Sequence, residues 1–202
     1  MSDARTLAVY NGQSDDYAAM MDREAARDPM IDRFIAACPT RGRVLDLGCG
    51  AGHYARRMAA AGLQVDALDA AEAMVARTGQ IPGVVARLGR FEDLTAQCFY
   101  DGIWAYFSLL HAPRNELPGH LARIAAALRP GGTFFVAMKR GSGHKRDRLD
   151  RYYEYYQRDE LESLLTAAGL QPVEHWTGRA EGLAGHPEGW ITVHARADAA
   201  DA

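Results

Sequence analysis

The chain has 202 residues, 48% hydrophobic and 24% charged, with a formal net charge of -3 at neutral pH. That length suits one domain with a full core, and the composition is ordinary for a soluble globular protein. The acidic balance argues against nucleic acid as the main partner, because domains that bind it carry a basic excess.

The three cysteines, Cys38, Cys49 and Cys98, are scattered and form no C-x-x-C pair, so neither a zinc site nor a disulfide framework is indicated. No metal is expected. Residues 1–12 lack the apolar core of a signal peptide, and no apolar run approaches the roughly 18 residues of a membrane span. The expectation is a cytoplasmic protein with reduced thiols.

Residues 1–40 precede the first strand. Residues 15–37 read as one or two helices, interrupted near Asp28-Pro29. Such an extension either covers a sheet edge or forms a lid over a bound ligand. Tyr10, Asn11 and Tyr17 are the residues placed to reach a site.

The next stretch organises the chain: Arg43-Val44-Leu45-Asp46-Leu47-Gly48-Cys49-Gly50-Ala51-Gly52-His53-Tyr54. Val44 to Leu47 read as a buried parallel strand. Glycines follow at alternate positions, then a good helix former that stops at Gly62. A strand, glycine turn and helix put backbone N–H groups and a helix N-terminus at the strand's C-terminal edge. The spacing is not the G-x-G-x-x-G of a dinucleotide fold, and no Gly-Lys-Ser/Thr of a Walker loop is present. The pattern Asp46-x-Gly48-x-Gly50-x-Gly52 resembles motif I of the class I S-adenosylmethionine (SAM) methyltransferases. The alternative is a glycine-rich turn with no ligand.

The second strand, 64–68, runs into Asp69 and a helix over 71–77. Asp69 lies about 20 residues after the glycines, the distance at which an acid on the neighbouring strand reaches ribose hydroxyls. Its other reading is a helix N-cap. Asp69-Ala70-Ala71-Glu72-Ala73-Met74 matches the family's ribose-binding segment, with Met74 either lining the adenine pocket or simply core. The third strand is 84–88. The family's usual Gly-Asp-Ala is here Gly89-Arg90-Phe91-Glu92, so Arg90 replaces the expected acid. Phe91 is placed to flank adenine, and Glu92 or Asp93 to supply its acceptor.

The fourth strand, 100–106, looks like motif II and continues into Phe107-Ser108-Leu109-Leu110-His111-Ala112-Pro113. The first and fourth strands flank the switch point of a doubly wound sheet, where ligands bind. Ser108 and His111 are the polar groups best placed there. His111 is the candidate general base, since an imidazole titrates near neutrality; its alternative is a structural role in the turn before Pro113.

An amphipathic helix over 116–128 ends at Arg129-Pro130-Gly131-Gly132, and a fifth strand follows over 133–138. Leu-Arg-Pro-Gly-Gly before an apolar strand resembles methyltransferase motif III, so the resemblance spans 43–138. Residues 139–151 form a basic run, Lys139, Arg140, Lys145, Arg146, Arg148 and Arg151, and Tyr152, Tyr153, Tyr155 and Tyr156 follow. The run is either an anion-binding loop at the active-site rim or a solvated loop over a tyrosine-rich strand. A helix over 159–168 and strands over 171–176 and 190–196 complete the chain, with a glycine-rich connection over 177–189.

The resemblance implies an α/β, Rossmann-like doubly wound sheet of seven strands in the order 3-2-1-4-5-7-6, strand 7 antiparallel, in a single domain. The expected divisions are a helical lid or extension over 1–40, the methyltransferase domain over 41–197 and a tail over 198–202. It implies SAM as cofactor and S-adenosylhomocysteine as product. The cofactor residues are Tyr17, Asp46, Gly48, Cys49, Gly50, Asp69, Ala70, Met74, Arg90, Phe91, Glu92 and Ala105. The acceptor side takes Tyr106, Ser108, His111, Lys139, Arg140, Tyr152 and Tyr153.

The expected reaction is in-line methyl transfer to a small-molecule acceptor by a monomer or homodimer. Ser-Leu-Leu-His-x-Pro after the fourth strand looks like small bacterial methyltransferases related to tellurite-resistance proteins, which suggests a thiolate or chalcogen oxyanion. Alternatives are a tRNA or protein methyltransferase, a non-catalytic SAM-binding regulator and an NAD-dependent enzyme.

Overall fold

The computed structural model describes residues 3–26, 28–181 and 185–199. The last three residues of the expected tail and part of the 177–189 connection lie outside them.

The sheet is built on β1 (Arg43–Leu47), β2 (Gln64–Asp69), β3 (Val84–Leu88), β4 (Tyr100–Tyr106) and β5 (Leu128–Arg140), all parallel, in the order β3-β2-β1-β4-β5. The C-terminal strands β8 (Leu170–Glu181) and β9 (Pro187–Ala197) follow, β9 antiparallel to β5 and β8 on its far side. This is the expected α/β order. Two strands are additional: β6 (His144–Arg146) and β7 (Tyr152–Tyr156) form an antiparallel pair, joined to the sheet where Tyr155 and Tyr156 meet Lys139 and Arg140 at the end of β5.

Alternation along the central strands divides the core in two. Leu45, Leu47, Ile103, Ala105, Phe134, Val136 and Met138 face one layer, with α6 (Leu117–Ala127) and α7 (Arg158–Ala167). Val44, Trp104, Phe135 and Ala137 face the other, under α3 (Pro29–Ala37) and α4 (His53–Ala60). Trp104 stacks on Phe135 at 3.8 Å between centroids. Burial on both faces explains why these strands read as apolar runs.

The N-terminal region forms α1 (Ala4–Gly12) and α2 (Ser14–Ala25) before α3. The break at Asp28-Pro29 is an N-cap: the Asp28 carboxylate accepts the Met30 N–H at 2.9 Å and Pro29 opens the helix. The helix α1 lies upstream of the predicted helical segment. Its cap is Asp3, which accepts the Thr6 N–H at 2.8 Å.

The described residues of the glycine-rich connection over 177–189 continue β8 and β9 beyond the expected strands, pairing Gly178 with Trp190 and Glu181 with Pro187. A Cβ on Gly178 would stand 2.4 Å from the Trp190 ring, so the glycine is there to seat the indole.

Candidate active site

The glycine turn joins β1 to α4 with φ of +77° at Gly48, +51° at Gly50 and +81° at Gly52, conformations that favour glycine. Its donors do not point outward. Gly48 and Cys49 both donate N–H to the Leu68 carbonyl, at 2.7 and 3.1 Å, and Gly50 donates to Asp69 Oδ2 at 2.8 Å. The turn is therefore stitched to the end of β2 and offers a smooth glycine surface rather than a ring of free donors. A Cβ on Gly48 would meet that of Ser108 at 2.2 Å, and one on Gly50 would meet the Tyr17 ring at 2.9 Å.

Asp69 uses both carboxylate oxygens on the backbone: Oδ1 accepts the Ala71 N–H at 2.9 Å. Ala71, not Asp69, is the N-cap of α5 (Glu72–Thr78). Asp69 nevertheless lines a cavity together with Gly48, Gly50 and Ala70. Asp46 is 2% exposed and its Oδ2 has no partner. Burial, then the nearby Asp69 charge, raises its pKa to about 8. A buried carboxylate in that state suits a cationic ligand group.

Two cavities border this turn, and a third shares part of their walls. The first, about 640 Å³, runs along Gly48, Gly50, Asp69, Ala70, Met74 and Phe91, with Arg90 also in its wall. A narrow second one holds Asp46, Cys49, His53 and Tyr54. The third is larger and is walled by Met20, Lys139, Arg151, Tyr153, Glu188 and Trp190. The residues common to the first and third are Tyr10, Tyr17, Tyr106 and Phe107. All four are aromatic, two from helices α1 and α2 and two from the end of β4.

The predicted residues distribute unevenly. Tyr17, Gly48, Gly50, Asp69, Ala70, Met74, Arg90 and Phe91 gather around the first cavity, and Asp46 and Cys49 around the second. Glu92 and Ala105 are in the wall of none of the three. Asp93, the other expected adenine acceptor, turns its carboxylate onto the Arg90 N–H at 2.8 Å. Ser108 reaches the cavity wall, but its hydroxyl donates to the Leu47 carbonyl at 2.6 Å, pinning the end of β4 to the end of β1.

His111 is held by two contacts. Nδ1 lies 2.6 Å from the Tyr152 carbonyl oxygen and Nε2 lies 2.9 Å from the Tyr10 hydroxyl. A carbonyl only accepts, so Nδ1 carries the hydrogen and Nε2 accepts from Tyr10. Burial lowers the His111 pKa to about 4. Arg151 donates to the Tyr10 oxygen at 3.2 Å and is itself paired with Asp147 at 2.7 Å, both side chains nearly fully buried.

The basic run is not a free loop. It forms β6 and the turn into β7, and much of its charge is matched within the fold. Lys139 and Lys145 both pair with Glu188, Arg146 with Asp3, and Arg151 with Asp147. Arg140 lines none of the three cavities. Tyr152 contributes its carbonyl to His111, while its hydroxyl turns to Glu154. Tyr153 lines the third cavity, with the Lys139 Nζ 3.6 Å from its ring centroid. Phe107, Met20, Glu188 and Trp190 were not singled out from the sequence; they come from distant segments and carry no shared motif. Among the described residues no cluster of His, Cys, Asp or Glu is placed to hold a metal ion, and no helix is long and apolar enough to cross a membrane.

A family model described as a methyltransferase domain matches residues 17–175. The chain is 30% identical over 187 residues to 27-O-demethylrifamycin SV methyltransferase of Amycolatopsis mediterranei, covering 81% of this chain and 66% of that protein. It is 36% identical over 153 residues to the ubiquinone biosynthesis O-methyltransferase of Xanthomonas axonopodis pv. citri, covering 66% of this chain and 63% of that one. The chain thus spans less than two thirds of the second relative's length and just under that share of the first.

Among solved structures, the 1,6-didemethyltoxoflavin-N1-methyltransferase of Burkholderia thailandensis, with its acceptor and S-adenosylhomocysteine bound, superposes with a TM-score of 0.78 at 24% identity, covering 96% of this chain and 88% of that one. The [4+2]-cyclase SpnF also shares the fold, with a TM-score of 0.68 at 19% identity over 84% of this chain and 80% of that one. Fold likeness at these identities shows architecture alone.

Proposed function

This chain belongs to the class I SAM-dependent methyltransferase family, and we propose that it methylates a hydroxyl or ring nitrogen of a small planar acceptor. The observation that carries this reading is the junction of the glycine-turn cavity with a larger, ring-lined cavity beside the Tyr10–His111 contact. The glycine surface, Asp69 and the unpartnered Asp46 carboxylate suit SAM, which supplies a methyl group activated on a sulfonium centre.

On this reading Asp69 accepts from the ribose, Phe91 and Met74 flank the adenine, and Asp46 faces the positive charge of the amino-acid end. Tyr153, Trp190 and Met20 hold a flat acceptor, and Lys139 with Glu188 orients its polar edge. Holding the acceptor atom about 3–3.5 Å from the methyl carbon and in line with the C–S bond does most of the work. A proton leaving the acceptor passes to the Tyr10 oxygen while the Tyr10 proton passes to His111 Nε2. A base with so low a pKa suits an acidic hydroxyl, such as a phenol or enol, better than an alcohol.

The relatives named for O-methylation favour a hydroxyl acceptor over a thiolate or chalcogen oxyanion, and the narrower likeness to tellurite-resistance proteins receives no support from them. The pairing of Lys139, Lys145, Arg146 and Arg151 with acids speaks against an RNA acceptor.

The test is calorimetry with SAM, followed by a screen of phenols, enols and heteroaromatic amines read out by S-adenosylhomocysteine production. SAM binding with turnover confined to such acceptors is the expected result. A chain that binds no SAM, or binds it and turns over none of them, defeats the proposal.

A further inference from the structure

The strands β6 and β7 are additions to the expected sheet, and both contribute to the wall of the third cavity. One sheet architecture serves many acceptors, so selectivity resides in what is added at its rim. The wall of this cavity carries five basic side chains against three acids. Arg151 is taken by Asp147 and Arg146 by Asp3. Among the described residues, Lys139 and Lys145 share one carboxylate, that of Glu188.

Strand register brings these three together. At the end of β5, Lys139 pairs with Tyr155 of β7 on one side and with Trp190 of β9 on the other. Lys145 of β6 lies opposite Tyr153 of β7. Glu188 Oε1 meets the Lys145 Nζ at 2.5 Å and accepts the Tyr155 hydroxyl at 2.8 Å, while Oε2 meets Lys139. The Lys139 Nζ lies 3.6 Å from the Tyr153 ring centroid, and the Lys145 Nζ 5.1 Å from that of Tyr155. Two ammonium groups thus converge beside tyrosine rings. They have more N–H donors than one carboxylate, already shared with Tyr155, can accept.

We infer that Lys139 and Lys145 form a carboxylate subsite, and that the acceptor is a planar ring bearing a carboxylate away from the methylated atom. This deepens the proposed function and rests on it. The ring lies against Tyr153 and Trp190, with its hydroxyl beside Tyr10 and its carboxylate at the two ammonium groups. Lys139 is only 16% exposed, so its charge is screened less than that of a surface lysine. Glu188 has two effects. It gathers the ammonium groups, and it competes for them with the acceptor.

That competition gives the test its sign. The experiment is calorimetry on the chain loaded with S-adenosylhomocysteine, with the ortho, meta and para hydroxybenzoates and the matching hydroxybenzamides as probes. Each pair has nearly the same shape and differs in charge. A hydroxybenzoate should bind about tenfold more tightly than its amide. Lys139→Gln and Lys145→Gln should each shrink that ratio by about three- to tenfold, and Glu188→Gln should enlarge it by about threefold. Binding of S-adenosylhomocysteine checks that each variant is folded.

An ion-pair cluster that served only the fold would move all three variants the same way. A ratio that falls or stays level in Glu188→Gln therefore overturns the inference. So do equal affinities for acid and amide in the wild type, or no binding of any hydroxybenzoate. Lys145 is half-exposed, so Lys145→Gln carries the comparison should Lys139→Gln not fold. A wild-type chain that binds no S-adenosylhomocysteine defeats the methyltransferase reading itself, an outcome distinct from the loss of a charge preference.

Discussion

Tyr10 and His111, 101 positions apart in sequence, meet through a 2.9 Å contact between the phenol oxygen and Nε2. Helix α1 thus supplies the donor that covers the histidine's free lone pair. His111 is in the wall of the first cavity and not of the third, whereas Tyr10 lines both, and Arg151 also donates to its oxygen.

This contact predicts how the two residues behave together. Tyr10→Phe keeps the ring and removes the hydroxyl that meets His111. Both it and His111→Gln should lower kcat for a hydroxyl acceptor by about 10²–10⁴-fold while SAM affinity stays within a few-fold. The double variant should be little worse than either single one, because the two act as a unit. Fully additive losses in steady-state kinetics would mean that they act separately.

Stability should show two opposing pH dependences. His111 has a folded pKa near 4 against 6.5 unfolded, so its contribution is complete above pH 6.5 and is lost as pH falls towards 4. Asp46 has a folded pKa near 8 against 3.8 unfolded, so its protonated form favours the fold at low pH and stability falls as pH rises from about 4 to 8. Asp46→Asn should weaken the second trend, leaving only the part that Asp69, also raised by burial, contributes. Parallel profiles for wild type and Asp46→Asn would refute it. SAM, whose cationic groups favour the ionised carboxylate, should bind more tightly from pH 6 to 8 in wild type and lose that trend in Asp46→Asn.

Asp69→Ala should impair both folding and binding. The carboxylate accepts the Gly50 and Ala71 N–H groups, so its loss should cost about 1.5–3 kcal/mol of stability. SAM should bind roughly ten- to a hundredfold more weakly. Thermal unfolding and calorimetry on one sample would separate the effects; unaltered SAM affinity in a destabilised variant would reduce Asp69 to a turn residue.

Helix α1 should respond to one ion pair. Arg146 of β6 reaches Asp3 at 2.8 Å, and Asp3 caps α1. Arg146→Ala should loosen α1, read as faster amide exchange within Ala4–Gly12. High salt should do the same to wild type. Exchange unaffected by either would show that α1 is held by packing alone.

The sequence by itself determined the sheet and the glycine turn. Val44 to Leu47, the alternate glycines and Arg129-Pro130-Gly131-Gly132 are local signals: buried parallel strands require apolar runs, and left-handed turns require glycine. The position of Asp69 beside the turn was legible because its distance from the glycines is a property of one strand–helix–strand unit.

The partners of the charged residues were not legible. Whether Lys139, Lys145, Arg146 and Arg151 recruit an anion or neutralise Glu188, Asp3 and Asp147 depends on which segments fold against them, and charge pairing carries no sequence period. The same holds for His111, an isolated histidine in the sequence. Its tautomer, its lone pair and its low pKa come from Tyr152, Tyr10 and burial. The rings shared by the first and third cavities are the furthest from local prediction, since Tyr10, Tyr17, Tyr106 and Phe107 come from two helices and a strand end. Only the tertiary structure brings them together, because long-range packing, unlike a turn or a strand, leaves no periodic trace in the chain.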